Sequence, residues 1–243
     1  MPRPMIALAL LLLALAGCVN APEGDSNSGG SSGGSNPSSG AFTANESGTH
    51  TVNGSISVPA GQPSGEVTTV NGSIRIADGA TLTEAHAVNG SIGVGAHATA
   101  VALQTVNGGI SLSDGVHVAR DVATVNGDLT LHGGSDVTGS IANVNGKIEL
   151  NGAHVGGGIR TVNGDIDVVG GSHVEGGILV ERPSMSWFQW SNSKPRVVIG
   201  PGSVVQGNLR FEREVKLYVS DKATIGPVTG ATPVRFSGDS PPA

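Results

Sequence analysis

Thr51-Val52-Asn53-Gly54-Ser55-Ile56-Ser57-Val58 is the first of seven copies of one phrase, Val-Asn-Gly followed by two apolar residues in alternation. The Asn recurs as Asn53, Asn71, Asn89, Asn107, Asn126, Asn145 and Asn163, at spacings of 18, 18, 18, 19, 19 and 18 residues. A unit this short cannot bury its apolar face alone, so it must stack on its own copies. The period therefore predicts an all-β fold, a single-stranded parallel β-helix (β-solenoid).

The rest of each unit says how the coil is built. Ile56/Val58, Ile74/Ile76, Ile92/Val94, Ile110/Leu112, Leu129/Leu131, Ile148/Leu150 and Ile166/Val168 repeat one pair, and the two-residue alternation marks a strand buried on one face. A second inward column runs Leu82, Ala100, Val118, Val137, Val155, Val174, and a third runs Val67, Ala85, Leu103, Val122, Ile141, Ile159, Ile178. Three columns imply a triangular cross-section. Asn-Gly is the corner signal because both residues tolerate positive φ, and stacked Asn side chains can bond from coil to coil. The Val of the motif and the apolar residue three before it have opposite parity, so either a bulge separates them or the Val faces outward. The Val is expected inside.

Sliding the chain by 31 residues aligns the stretch from Val174 to Arg182 with that from Val205 to Arg213, as a 19-residue coil plus a 12-residue insertion would. The array thus runs over residues 42–230 as about nine coils, a length of roughly 43 Å at ~4.8 Å per strand. The insertion, residues 184–195, holds Met185, Trp187, Phe188 and Trp190 in a chain with only 3% aromatic residues. Residues 231–243 form a Pro-rich tail. The coil at each end has an open edge, which invites self-association.

Composition limits the function. Thirteen Lys and Arg, scattered, against nineteen Asp and Glu give a net charge of -6, which argues against nucleic acid. Arg3, the apolar run from Met5 to Ala14 and the closing Leu15-Ala16-Gly17-Cys18 read as a signal segment over residues 1–17. The closing residues resemble the bacterial lipobox, which implies lipidation of Cys18, the only cysteine. Asn20 is not the Asp of an inner-membrane retention signal, so the resemblance implies an outer-membrane lipoprotein facing the periplasm or the cell surface. Residues 18–41 then read as a disordered Ser/Gly linker spanning roughly 25 Å on average.

The stretch from Ile199 to Leu209, with Ile-Gly-Pro-Gly-Ser-Val-Val-Gln-Gly-Asn-Leu, resembles the bactofilin-type polymer-forming repeat. The Val-Asn-Gly-Asp-Ile phrase is similar to that of putative-adhesin β-solenoids of bacteria. The resemblance implies a right-handed β-helix with a structural role and supplies no catalytic residues. Bactofilins are cytoplasmic scaffolds, whereas this chain carries a lipoprotein-like signal.

Two outward clusters are candidate sites. His117, Asp136, His154 and His173 fall on one face of consecutive coils, ~4.8 Å apart, where neighbours can share a metal or simply form a solvated ladder. Asp128, Lys147, Glu149, Asp165 and Asp167 follow the corners, a carboxylate patch that either cleaves glycans or is ion-paired through Lys147. The Thr column at 51, 69, 105, 124 and 161, interrupted by Ala87 and Asn143, reads as strand-forming Thr rather than an ice-binding face. Met185, Trp187, Phe188 and Trp190 are the candidate interaction loop, being of the residue types enriched at binding hot spots.

The expected function is a non-enzymatic, lipid-anchored envelope scaffold or adhesin-like surface, with no cofactor and no resident metal. Its partners would be the membrane, through the anchor, and an envelope protein or glycan. End-to-end polymerisation is the alternative, and a polysaccharide-processing β-helix enzyme the second.

Overall fold

The computed structural model describes residues 41–183 and 194–241. Cys18, the signal segment, residues 18–40 of the linker and the loop residues Met185, Trp187, Phe188 and Trp190 lie outside the described residues. The body is all-β, with every strand pairing in parallel.

One flank is an eleven-stranded sheet running from Ala41–Thr43 to Val234–Phe236, so the chain makes about ten turns, one more than the repeats count. Its register keeps like on like: Ile56, Ile74, Ile92, Ile110, Leu129, Ile148, Ile166, Val197 and Leu217 stack in one column. Each is at most 1% exposed. The partner column from Val58 to Val219 is equally buried, which makes this flank the main hydrophobic wall. Burying one such side chain contributes about 1.5–3 kcal/mol relative to leaving it in water.

The second and third flanks carry the other two columns. The second consists of very short strands such as His117–Val118, Asp136–Val137 and His154–Val155. The third holds strands such as Val122–Asn126 and Ile141–Asn145. In two early coils these flanks merge into single strands, Thr81–Asn89 and Thr99–Asn107, where two residues, neither of them glycine, separate the inward columns. From Val118 to Leu209 a third residue lies between them and splits the strand, the chain being at that point Ala119-Arg120-Asp121, Thr138-Gly139-Ser140 or Gly156-Gly157-Gly158. That residue lengthens the coil from 18 to 19. The coil between Asn145 and Asn163 returns to 18 because its preceding corner, between Leu150 and Val155, is one residue shorter.

Beyond Val180 the pairing resumes with the shift of 31 read from the sequence, Val174 against Val205 and Ile178 against Leu209. The wall and both other columns continue in register across it.

The expectation that the motif Val lies inside is overturned. Val52 is 63% exposed, and Val70, Val88, Val106, Val125, Val144 and Val162 are partly exposed. The strand keeps its alternation through the Thr before it, so Thr69, Thr105, Thr124 and Thr161 are the buried residues. No bulge is needed there, because parity changes one step later, at the Asn-Gly corner itself.

The glycine meets the expectation of positive φ at Gly54, Gly72 and Gly146, at 150°, 157° and 123°, but not at every corner. Among the described residues the only non-glycine with positive φ is His97, so the motif Asn does not use its left-handed tolerance. Gly90 has no positive φ either, yet a Cβ there would sit 1.8 Å from the carbonyl oxygen of Gly72. Close stacking of corner on corner is what excludes a side chain.

Candidate functional site

Asn53, Asn71, Asn89, Asn107, Asn126, Asn145 and Asn163 come together as one side-chain ladder along a corner of the solenoid. Each Asn from Asn71 onward donates Nδ2 to Oδ1 of the Asn one coil earlier, at 2.8–3.0 Å. All six bonds run the same way, so each Asn within the ladder donates once to the coil before and accepts once from the coil after. The last acceptor, Asn163 Oδ1, receives Arg213 Nη1, which also donates to the carbonyl of Val162.

Beneath the ladder the Thr column clamps the corners from inside. Thr69, Thr105 and Thr124 donate their Oγ1 to the carbonyls of Gly54, Gly90 and Gly108 in the coil before, at 2.9–3.0 Å. The buried hydroxyl is thereby satisfied, and with it a corner carbonyl. Asn143 replaces Thr in one coil, its Nδ2 reaching both Gly127 O and Gly146 O while its buried Oδ1 has no partner.

The second flank brings the four predicted residues into one outward column. His117 Nδ1 donates to Asp136 Oδ2 at 2.8 Å, and His154 Nδ1 donates to the other carboxylate oxygen at 2.5 Å. His154 Nε2 then faces Glu175 Oε1 at 3.3 Å, and His173 lies 2.9 Å from Gln206 Nε2. The rings of His154 and His173 are tilted, with centroids 5.7 Å apart. Burial pushes Asp136 upward, but the hydrogen bonds and charges of His154 and His117 outweigh it and hold the carboxyl below its usual range. His154 is raised by the Asp136 hydrogen bond, against burial and with help from Glu175. Both oxygens of Asp136 are spent on imidazoles. No group of three or more His, Cys, Asp or Glu side chains among the described residues is arranged to hold a metal.

The carboxylate patch lies on the outer face of the first flank. Lys147 Nζ bridges Glu149 at 2.7 Å and Asp167 at 2.8 Å, while Arg196 stands 3.8 Å from the other Asp167 oxygen. Hydrogen bonds to Asp167 and then Glu149 raise Lys147 above its ordinary value, against burial. Asp128 and Asp165 accept backbone amides of the following coil, those of Lys147 and Arg196. These carboxylates are tied to cations and amides, as cross-strand partners are. An open depression on the same flank exists because Gly93 and Gly109 present no side chain between Arg75, Ser111 and Thr130.

Sequence reasoning placed the columns but missed Arg213, Glu175 and Gln206. Arg213 lies 50 residues from Asn163, across the insertion, and no spacing links the two. Glu175 and Gln206 each follow an inward Val, so the column after the second inward one was readable as outward.

Comparison of the chain with protein-family models, with curated proteins and with solved structures finds no match. The class defined by the fold is that of β-solenoid repeat proteins.

Proposed function

We propose that this β-solenoid is a non-enzymatic, lipid-anchored scaffold of the bacterial envelope, presenting its flanks and the segment 184–195 to an envelope protein or glycan as an adhesin-like surface. The observation that carries the reading is that outward polar side chains are matched to one another along columns, from the Asn ladder to Asp136 and Lys147. Such a surface is stiff and self-satisfied, suited to display more than to turnover. The lipobox-like Leu15-Ala16-Gly17-Cys18 supports the anchor, and the segment 18–41 supplies its tether.

Fractionation of cells fed an alkyne fatty acid tests the anchor: the wild-type chain takes the label and partitions with outer membranes. Cys18→Ser loses both, and a soluble, unlabelled wild-type chain would end the reading. For the display role, envelope material should be retained by the full chain and lost on deletion of residues 184–193. Turnover of a cell-wall or capsule glycan by the purified chain would restore the enzyme reading.

A second reading is end-to-end polymerisation, favoured by the terminal strands, where Phe42 is 43% and Val234 49% exposed. Sedimentation separates the two, since filaments support polymerisation and a monodisperse species supports display.

A further inference from the structure

Eight Asn-Gly dipeptides lie in this chain, the seven motif corners and Asn151-Gly152. Asn-Gly is chemically labile because the glycine nitrogen has little steric cover. Deprotonated, it attacks the side-chain Cγ of the Asn: a Cγ–N bond forms, the Cγ–Nδ2 bond breaks and ammonia leaves. Water then opens the succinimide to aspartate or isoaspartate. A glycine N–H held in a hydrogen bond resists both deprotonation and the rotation that brings it to Cγ.

The fold holds almost all of these nitrogens. Gly54, Gly72, Gly90, Gly108 and Gly127 each donate to the carbonyl of the Asn in the next coil, at 2.9–3.1 Å. Gly152 donates to Val169 O and Gly164 to Thr161 Oγ1. Gly146 is the exception: among the described residues its N–H has no acceptor. The reason is local. Coil-to-coil pairing reaches the Asn at every earlier step, up to Asn126 against Asn145, but beyond Asn145 it stops at Arg160. There the next coil turns, so Asn163 N reaches back to Val144 O and Gly164 points at Thr161. The carbonyl of Asn163 is no longer presented to Gly146. Gly146 also has φ +123, and Asn145 is exposed to the water that completes the reaction.

We propose that Asn145 is the modification site of this array, a corner that deamidates spontaneously while the other seven Asn-Gly dipeptides are protected by the stack. The product cuts the ladder. A carboxylate at 145 has no donor for Asn126 Oδ1, to which Asn145 Nδ2 now donates at 2.8 Å, and instead sets an anionic oxygen against it.

The experiment is incubation of the full-length folded protein at mildly alkaline pH, with isoaspartate and aspartate quantified by peptide mass spectrometry at each dipeptide. Asn145 is expected to convert about tenfold faster than any other, the factor that about 1.4 kcal/mol of lost protection represents. Gly146 should likewise show the fastest amide exchange of the corner glycines. In denaturant the lead should vanish. Equal rates in the folded chain, a different leading dipeptide, or a lead that persists in denaturant would overturn the proposal. Thr161→Val supplies a second check, because it removes the acceptor of Gly164 N–H and should make Asn163 the next labile site; an unchanged rate there would also count against it.

Discussion

Asn143 shows at single-residue scale how strict the interior is. It occupies the column of Thr69, Thr105, Thr124 and Thr161, and its Oδ1 is buried without a donor, a group that costs about 1–3 kcal/mol when unsatisfied. Asn143→Thr removes the orphaned oxygen but also the donor of Gly146 O, so with the new hydroxyl donating to Gly127 O the Tm should stay close to that of the wild type. Thr124→Val should lower stability by about 1 kcal/mol, since it strips Gly108 O of its donor. The pH behaviour of the His column follows from signs. His154 is raised above 6.5, so its contribution is full below that value and fades as pH rises through the folded pKa. Asp136 is lowered from 3.8, so its contribution is present above that value and is lost as pH falls through the lower folded one. Thermal stability should thus be greatest between about pH 4 and 6.5. His154→Ala should flatten the upper limb by no more than about 1 kcal/mol, because both groups are partly solvent-screened.

At the scale of the element, the ladder and the strands under it differ in how much of them could be read from residues alone. Ile-x-Val pairs and their 18–19-residue period announced the wall because apolar alternation is a property of the strand itself. The facing of Val and Thr was misjudged because parity changes at the Asn-Gly corner, and hydrophobicity alone favours Val inside; the hydroxyl's bond to a stacked carbonyl decided otherwise. Arg213 could not be read at all, since it reaches Asn163 from two coils further on and 50 residues along the chain. Asn107→Ala removes two side-chain bonds and Asn53→Ala one, so the first should lower Tm about twice as much. Arg213→Ala removes the bonds to both Asn163 Oδ1 and Val162 O, so it should lower stability more than Asn53→Ala does, read from urea unfolding.

For the whole molecule, backbone pairing joins each coil only to its neighbours, and side chains such as Arg120 and Arg213 reach two coils back, so stability is close to a sum along a line and the ends are weakest. Hydrogen exchange should be slowest between Ile92 and Val174 and fastest in Ala41–Thr43 and Val234–Phe236, the strands paired on one side only. Leu131→Ala, in the middle of the wall, should cost about 2–5 kcal/mol. Charge is also distributed along this line. Ten of the thirteen Lys and Arg stand at or beyond Lys147, whereas residues 41–146 carry eight carboxylates against Arg75 and Arg120. The half nearer the N-terminus is therefore the acidic one, and ionic strength should affect its exchange rates more.

Coils of 18 and 19 residues, and one extended by twelve, all deliver the next strand to the same place, because every difference in length is absorbed at a corner. The number of coils is then free to change without redesign of any of them. The distance from the first turn to the last is counted in whole steps of ~4.8 Å, which makes this architecture a ruler whose reading is set by how many times one phrase was duplicated.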